Sequence, residues 1–560
     1  MAEFDMDKFT LGCLLHDIGK LKQRARLPED RGKTHSQIGY EWLSARYGEG
    51  LIAAAARDHR GAEKETWDSN LSLIIYEADN LAASERKAFD PREDADMTWQ
   101  RDLLLASVFN RINLNQGHPA DRRPRFWPLC SMGGWVEPGE AALDPTGRGY
   151  HGLWESFALD FDALKKRGLH LSVDPILLLL EKHTSYVPAM TLQIQGSEAN
   201  ETLRKQQDIS FFDHARITAA AAACLYRYHQ AQQTPRWDRE ILKKEITEGW
   251  ENDSPLRPFL LIGGDLSGVQ RFLYTLSAKG ALKSLKGRSF YLELLTEYVV
   301  ERLSGEIGLS PCQVIFQGGG HFYLLGPNLK ETEERLARVR EEVNDYLFDA
   351  FNGALFQLIE WIPMGKAHFG DASDLWAELG ARLNDGKKRK WADRLDRLLE
   401  DPSMPHPDCF TRNCAVCGRE DKELSGEEIP MCPPCREQFA FGEELQRSAR
   451  EESPGSGKRV AVAVWTDPPP GGKGILSVGK GVARRYYQSV LLGRKEEAVH
   501  SGLRAIYLLN EWDSKGIGSP NERRLLAGVY HPDDMEDLES YIRSGFGWNK
   551  AAVLRMDVDK

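Results

Sequence analysis

The sequence predicts a multidomain α+β protein that combines a helical N-terminal domain, a ferredoxin-like domain and a zinc ribbon. Three observations support this fold class. Apolar residues recur at helical spacing up to about residue 115. The stretch 256–400 follows the order strand, helix, strand, strand, helix, strand, and two CxxC pairs come after it.

Composition and charge set limits on where the protein works and what it binds. The 560 residues are enough for several domains with their own cores, and 41% hydrophobic with 28% charged residues is typical of a globular protein. The formal net charge of −11 argues against nonspecific coating of nucleic acid by the whole surface, although a local basic channel is compatible with it. No apolar run reaches transmembrane length, so we expect a cytoplasmic protein without a membrane partner.

The N-terminal segment contains a candidate metal site. Leu11, Leu14, Leu15 and Ile18 recur at helical spacing around the dipeptide His16-Asp17, which predicts that they lie on one face of a helix. Further candidate ligands lie on helix-like segments, namely His35, His59 and Asp79. Imidazoles and carboxylates together suit Mn²⁺, Fe²⁺, Co²⁺, Ni²⁺ or Zn²⁺.

Two alternatives stay open for these residues. They could be surface or hydrogen-bonded core histidines, and His35 and His59 could orient a ligand instead of binding the metal. Two further histidines, His183 and His214, are predicted to be packing or capping residues.

The ferredoxin-like segment has the element order of polymerase and cyclase palm domains. It predicts a strand over 259–262, a tight turn at Gly263-Gly264 and a long helix, then a hairpin through Gly318-Gly319-Gly320. A helical segment and the apolar run FQLIEWI complete the pattern. Active palms hold metal with acidic residues at this hairpin, whereas here it reads Gly-Gly-Gly-His with His321. We therefore expect a domain that binds or pairs and is not itself catalytic.

The cysteines predict one structural zinc site. Five of the nine lie between Cys409 and Cys435, which suits a reducing compartment better than a disulfide framework. The candidate ligands form two CxxC pairs with zinc-ribbon spacing, Cys414, Cys417, Cys432 and Cys435.

The last residues, AAVLRMDVDK, are an apolar run that ends in two alternating carboxylates. Alternation places Asp557 and Asp559 on one side of a strand, as at the metal site of a catalytic palm. No GGDD motif occurs in the sequence. We expect either a longer natural protein or a separate chain that supplies the rest of this palm, and no nucleotide cyclisation by this chain alone.

The GDLSGVQRFLY…SLKGRSFYLELL block, the GGGHFYLL hairpin and the N-terminal LLHDIGK together resemble the large subunit of type III-A CRISPR effector complexes. That family combines an HD nuclease domain, two palm domains, a zinc module and a helical C-terminal domain. The resemblance implies six segments in chain order: an HD-type metal-dependent nuclease domain over 1–115, a helical connector region over 116–255, a first palm over 256–400, a zinc ribbon over 401–445, a mixed α/β linker region over 446–550, and the first strand of a truncated second palm over 551–560.

The resemblance also implies an activity. The HD site, with His16 and Asp17 as catalytic residues, would cut single-stranded DNA as an endonuclease or exonuclease with Mn, Ni or Co, once guide RNA pairs with a target transcript. A completed palm pair, with Mg or Mn and carboxylates that include Asp557 and Asp559, would convert ATP into cyclic oligoadenylate. The implied partners are the other subunits of the ribonucleoprotein, CRISPR RNA, target RNA, single-stranded DNA and ATP.

Residues after the first palm strand have two interpretations. The resemblance implies nucleotide contacts by Asp265, Ser267 and Gln270, whereas a local interpretation makes Asp265 or Ser267 the N-cap of the next helix, with Gln270 completing a capping box. The cations of that helix (Lys279, Lys283, Lys286, Arg288) and the run KKRKW at 387–391 could meet nucleic acid, but a solvated face is the more common role of such runs.

Two other functions remain compatible with the sequence. One is an HD phosphohydrolase fused to a cyclase-like palm, which acts on small nucleotides in second-messenger turnover. The other is a non-catalytic scaffold of an RNA complex.

Overall fold

The structure is a computed structural model that mixes helical and sheet domains, as the sequence predicts. It describes residues 4–58, 70–83, 97–99, 101–111, 124–133, 136–146, 148–194, 207–231, 238–248, 256–275, 281–395, 412–421, 423–426, 429–451, 459–469, 473–492, 503–509 and 522–525. Within these ranges, no helix is both long and apolar enough to cross a membrane.

The N-terminal half is helical, with a few short strands. Its helices are α1 (Met6–Leu15), α2 (Ile18–Arg24), α3 (His35–Tyr47), α4 (Leu51–Asp58), α5 (Asn70–Ala82), α6 (Gly149–Lys166), α7 (Val173–Thr184), α8 (Phe211–Ala231) and α9 (Arg239–Glu248). Its strands pair antiparallel as β1 (Met97–Trp99) with β4 (Leu192–Ile194) and β2 (Leu105–Ala106) with β3 (Phe126–Trp127).

Helix α1 lies at the centre of this helical part. Asp5 caps it by accepting a hydrogen bond from the Lys8 amide at 3.0 Å. Every residue from Phe9 to Leu15 is buried, so the helix is enclosed on all sides and does not have the single apolar face that its leucine spacing suggested.

The boundary predicted at residue 115 does not separate two packing units. Helices α6, α7 and α8 share one hydrophobic core with α1–α5, through side chains such as Phe157, Leu180 and Ala219. The predicted connector region therefore contributes helices to the same unit as the N-terminal segment, because α8 packs directly against α1 and α5.

The next segment is a four-stranded antiparallel sheet with helices in the order βαββαβ. Its elements are β5 (Phe259–Ser267), α10 (Val269–Tyr274), α11 (Ala281–Ile307), β6 (Val314–Gly318), β7 (His321–Pro327), α12 (Lys330–Phe351), β8 (Phe356–Met364) and α13 (Ser373–Lys388). The spatial order is β6-β7-β5-β8. Alternate residues of β5 enter two cores: Leu261 belongs to the core of the helical part, and Ile262 to the core formed with α11 and α12.

The glycine turn predicted at Gly263-Gly264 is wrong, since β5 runs through both glycines to Ser267. They are small because neighbours approach closely: a Cβ on Gly264 would overlap the Phe322 ring, and one on Gly263 would press against Leu379 of α13. The turn lies at Gly268, whose φ of +98° favours glycine. We call this four-stranded unit the first sheet.

The C-terminal described segment forms a second sheet, which corrects the prediction of a linker region over 446–550. A short hairpin, β9 (Arg412–Asn413) and β10 (Glu420–Asp421), precedes helix α14 (Pro433–Glu451). The second sheet has the order β12-β13-β11-β14-β15 and consists of β11 (Arg459–Trp465), β12 (Leu476–Val478), β13 (Arg485–Leu492), β14 (Leu503–Leu509) and β15 (Glu522–Leu525). Val460, Val462 and Val464 pack into the same core as α11, so this segment is part of the packed structure and is not a linker.

One carboxylate between α11 and the second sheet makes stability depend on pH. Burial raises the pKa of Glu297 from its ordinary 4.5 to about 7, against the opposing charge of Arg523. The folded chain holds this proton more tightly than the unfolded chain does. The stabilisation of the fold by the protonated carboxyl is therefore fully present below pH 4.5 and is lost as the pH rises through about 7. We expect Glu297→Gln to raise the free energy of unfolding at about pH 8 by about 1–3 kcal/mol and to change little at about pH 5.

Thermal melts at both pH values would check this expectation. The exposed Glu334→Gln variant is the control, since its side chain lies on the solvent face of α12. Equal melting shifts for Glu297→Gln at the two pH values would contradict the assigned titration.

Candidate functional site

Two imidazoles and two carboxylates meet in the helical part. His16 and Asp17 lie between α1 and α2, Asp79 lies on α5, and His214 lies in the first turn of α8. Their candidate ligand atoms are all within 4.8 Å of one another, and all four residues are buried. We call these four residues the HD cluster.

Backbone carbonyls orient both imidazoles of the HD cluster. The Nδ1 atom of His16 is 2.7 Å from the Cys13 carbonyl oxygen, and Nδ1 of His214 is 3.3 Å from the Ala82 carbonyl oxygen. A carbonyl only accepts hydrogen bonds, so in each neutral ring Nδ1 carries the proton and Nε2 presents its lone pair. This is the tautomer that binds a metal through Nε2.

Those Nε2 atoms face carboxylate oxygens. His214 Nε2 is 3.1 Å from Asp79 Oδ1 and 3.4 Å from Asp17 Oδ2. His16 Nε2 is 3.4 Å from Asp79 Oδ1 and 3.5 Å from Asp17 Oδ2. Lone pairs directed at anionic oxygens repel each other unless a proton or a cation lies between them. The donor set therefore fits a divalent transition metal.

The pKa values show how strongly the HD cluster attracts positive charge. Burial lowers the pKa of His16, but the charges and hydrogen bonds of Asp17 and Asp79 outweigh burial and raise it to about 9. Burial raises the pKa of Asp17, yet Lys20 and the two imidazoles hold it well below its usual value. Both carboxylates therefore remain ionised at neutral pH, since the imidazole hydrogen bonds also keep the pKa of Asp79 low against burial.

The HD cluster includes three of the predicted candidates and one that the prediction assigned wrongly. His16, Asp17 and Asp79 lie together. His35 is buried beside them, with Nε2 3.6 Å from Asp17 Oδ1, and His59 lies outside the described residues. The prediction of a packing or capping role for His214 is wrong, because its ring faces both carboxylates. The only local signal is the alanine run that follows it, which marks a helix packed closely against its neighbours.

The other histidine predicted to pack, His183, has that role. Its ring is buried and bridges Ser131 Oγ at 2.8 Å and Asp160 Oδ2 at 3.0 Å. Asp160 also binds Lys182 Nζ at 2.8 Å. This network ties α6 and α7 to the irregular segment that contains Ser131.

The four predicted cysteines form a second cluster. The sulfur atoms of Cys414, Cys417, Cys432 and Cys435 lie within 4.8 Å of one another, and the Cys432 amide donates to Cys414 Sγ at 3.4 Å. Hydrogen bonds from Cys417, Cys432 and Cys435 hold the pKa of the Cys414 thiol well below its usual value. The donor set is that of a closed tetrahedral metal site.

A third polar cluster lies at the end of the first sheet. Asp265 is buried on β5 and forms an ion pair with Lys387 of α13, and Lys390 Nζ donates to Ser267 Oγ at 2.8 Å. His321 Nδ1 lies 3.9 Å from Asp265 Oδ2. The helix-capping alternative is wrong, since the N-cap residue of α10 is Gly268; Gln270 is exposed on that helix.

Several side chains of the two basic runs contact other parts of the protein and do not form a purely solvated face. Lys387 and Lys390 contact Asp265 and Ser267 at the end of β5. Trp391 is buried, and its Nε1 donates to the Gly353 carbonyl oxygen at 3.1 Å. On α11, Lys283 pairs with Glu443 of α14, and the buried Arg288 guanidinium stacks over the Phe272 ring at 4.2 Å. Lys279, Asp557 and Asp559 lie outside the described residues.

Comparison with protein families gives two matches. Residues 1–84 match the family model described as HD domain, and residues 258–403 match the one described as Csm1 subunit domain B. Three curated relatives are named CRISPR system single-strand-specific deoxyribonuclease Cas10/Csm1 (subtype III-A). The relative from Enterococcus italicus is 29% identical, and the alignment covers 78% of this chain and 56% of the relative. The relative from Mycobacterium tuberculosis is also 29% identical, and the alignment covers 79% of this chain and 57% of the relative. That of Methanocaldococcus jannaschii is 27% identical over 98% of this chain and 72% of its own length.

Solved structures share the fold. A Csm1-Csm4 subcomplex of the type III-A CRISPR-Csm interference complex aligns with a TM-score of 0.59 and 23% identity, over 94% of this chain and 61% of that chain. A Csm1-Csm4 cassette in complex with cA4 aligns with a TM-score of 0.59 and 22% identity, over 94% of this chain and 60% of that chain. A Csm1-Csm4 cassette in complex with one ATP aligns with a TM-score of 0.60 and 22% identity, over 94% of this chain and 61% of that chain. The chain thus spans little more than half the length of the first two relatives. The predicted resemblance to a Csm1-type large subunit is confirmed.

Proposed function

We propose that this chain is a metal-dependent single-strand DNA nuclease, acting as a Csm1-type large subunit of a type III-A RNA-guided effector. The observation that carries the proposal is the HD cluster: two Nε2 lone pairs and two ionised carboxylates converge within 4.8 Å in a buried site. The names of the relatives, which are single-strand-specific deoxyribonucleases, support the substrate class.

The residues divide into ligands and orienting groups. His16, Asp17, Asp79 and His214 would hold a divalent ion such as Mn²⁺, Ni²⁺ or Co²⁺, and His35 would orient Asp17 through its second carboxylate oxygen. Such an ion supplies Lewis acidity toward a phosphodiester and lowers the pKa of a bound water. Lys20, which contacts Asp17, keeps that carboxylate ionised.

The other two clusters would have supporting roles. The four cysteines would bind zinc and fold the short segment around β9 and β10. The first sheet would act as a non-catalytic palm, with Asp265, Ser267 and Gln270 on one side of a nucleotide pocket. Together with a complete second palm that includes Asp557 and Asp559, it would make cyclic oligoadenylate from ATP with Mg²⁺ or Mn²⁺. Partner subunits, CRISPR RNA and target RNA would regulate both activities.

Cleavage of labelled single-stranded DNA with Mn²⁺, Co²⁺ or Ni²⁺ tests the proposal. We expect cutting that the His16→Ala/Asp17→Ala variant loses by at least about 100-fold, because the variant lacks two of four ligands. Duplex DNA of the same sequence is the substrate control, and circular single-stranded DNA separates endonuclease from exonuclease action.

Other outcomes would change the assignment. Hydrolysis of small nucleotides without DNA cleavage would favour the phosphohydrolase alternative. Absence of cutting with every metal, both for the chain alone and for the chain assembled with its guide-RNA complex, would contradict the nuclease assignment and favour a scaffold.

A further inference from the structure

The HD cluster is completed by helices that are also fixed to the first sheet. Asp79 lies on α5, and two residues before it Glu77 is fully buried. Side chains two residues apart point about 200° away from each other around a helix. Asp79 therefore faces the metal ligands while Glu77 faces the opposite side of α5.

On that opposite side lies Lys366, in the turn that follows β8 of the first sheet. Its Nζ is 2.5 Å from Glu77 Oε1, and the two side chains are 5% and 0% exposed. The same Nζ donates to the Glu245 carbonyl oxygen near the end of α9 at 3.1 Å. One buried ammonium thus joins the metal-ligand helix, a neighbouring helix and the first sheet.

Removing one partner of a buried ion pair is costly, because the other charge stays buried without compensation. Each charge loses its hydration on burial and regains stabilisation only when its partner and further hydrogen bonds are correctly placed. The Lys366–Glu77 contact therefore links the position of α5 to the end of β8.

The helix that contains His214 is also bound to the first sheet. On α8, which contains His214, Arg216 donates to the Val314 carbonyl oxygen of β6 at 3.0 Å, and Cys224 Sγ lies 3.7 Å from the Leu325 carbonyl oxygen of β7. Asp79 and His214 are thus held from the sheet side, whereas His16 and Asp17 are held by α1 and α2.

We propose that Lys366 is a positioning residue for the HD site: through its buried ion pair with Glu77 it fixes α5 so that Asp79 reaches the metal. This inference rests on the proposed nuclease function. It assigns to the first sheet a role in assembling the metal site, in addition to any role in nucleotide binding.

The test compares Lys366→Met with a matched variant, Lys182→Met. Lys182 of α7 also forms a largely buried ion pair in the helical part, with Asp160 of α6 at 2.8 Å, and the two side chains are 14% and 6% exposed. Mn²⁺ affinity of the full chain is measured from the free Mn²⁺ signal in electron paramagnetic resonance, and kcat and KM are measured on single-stranded DNA.

We expect Lys366→Met to weaken Mn²⁺ binding about tenfold and to lower kcat with little change in KM, since positioning of one ligand is lost. Lys182→Met should lower the melting temperature about as much as Lys366→Met does, but it should leave the Mn²⁺ affinity and kcat unchanged. Lys366→Arg should restore part of the Mn²⁺ affinity. The double variant Lys366→Met/Glu77→Gln should be less impaired than the single one, because no unpaired buried charge remains.

The outcomes are distinguishable. If the wild-type chain shows no Mn²⁺ binding that depends on His16, the proposed nuclease function fails and this inference fails with it. If the wild-type chain binds Mn²⁺ and cuts DNA, but Lys366→Met behaves as Lys182→Met does, only the positioning role is overturned.

Discussion

The His214→Ala variant should lose metal-dependent cleavage of single-stranded DNA by at least about 100-fold, as much as His16→Ala does. In the structure, His214 Nε2 lies 3.1 Å from Asp79 Oδ1, and its Nδ1 is oriented by the Ala82 carbonyl oxygen. Its loss would leave one imidazole between two ionised carboxylates, which favours harder cations and weakens the binding of Mn²⁺, Co²⁺ and Ni²⁺.

The same helical part provides a matched control. His183 is as deeply buried as His214 and also faces an aspartate, Asp160, but it lies in a packing network away from the HD cluster. We expect His183→Ala to reduce melting temperature while retaining cleavage at the wild-type rate per folded molecule. Wild-type Mn²⁺ affinity in His214→Ala would show that His214 is not a ligand.

The contrast between these two histidines shows what local patterns can predict. His16-Asp17 is recognisable as a dipeptide within an apolar helix, and Asp79 as an acidic residue on a nearby helical segment. His214 joins them only because α8 crosses α1 and α5 in the folded chain, which is a long-range contact that periodicity does not encode. Two buried histidines on apolar helices therefore look alike in the sequence and differ in what the tertiary packing places opposite them.

The sheets show the same division between local and tertiary information. The βαββαβ order could be predicted because hydrophobic spacing changes from strand to helix at each element. The role of Gly263-Gly264 could not, because it depends on Phe322 and Leu379 of other elements approaching the strand. The second sheet was missed for a related reason: its valines are buried in a core shared with α11, which lies far away in the sequence.

The zinc prediction has the largest expected effect on stability. Structural zinc sites contribute apparent binding free energies of about 10–16 kcal/mol in isolated zinc modules. We expect about one zinc per chain. We also expect Cys432→Ser/Cys435→Ser to lose it and to melt at a markedly lower temperature, whereas Cys130→Ser, which changes a cysteine outside the cluster, should keep both the zinc and the melting temperature. Elemental analysis and thermal melts of the three proteins measure this.

The effect should reach beyond the cysteine segment because Cys435 lies in the first turn of α14. That helix crosses α11 so closely that a Cβ on Gly287 would overlap the Gln438 carbonyl oxygen, and one on Gly442 would press on the Lys283 carbonyl oxygen. Such a crossing requires the start of α14 to be fixed, and four thiolates around one ion would fix it. Glu437 of α14 in turn accepts hydrogen bonds from the Ser477 amide and hydroxyl of the second sheet. Loss of zinc should therefore increase amide hydrogen exchange in β12 as well as in α14, and unchanged exchange in β12 would limit the role of the metal to its own loop.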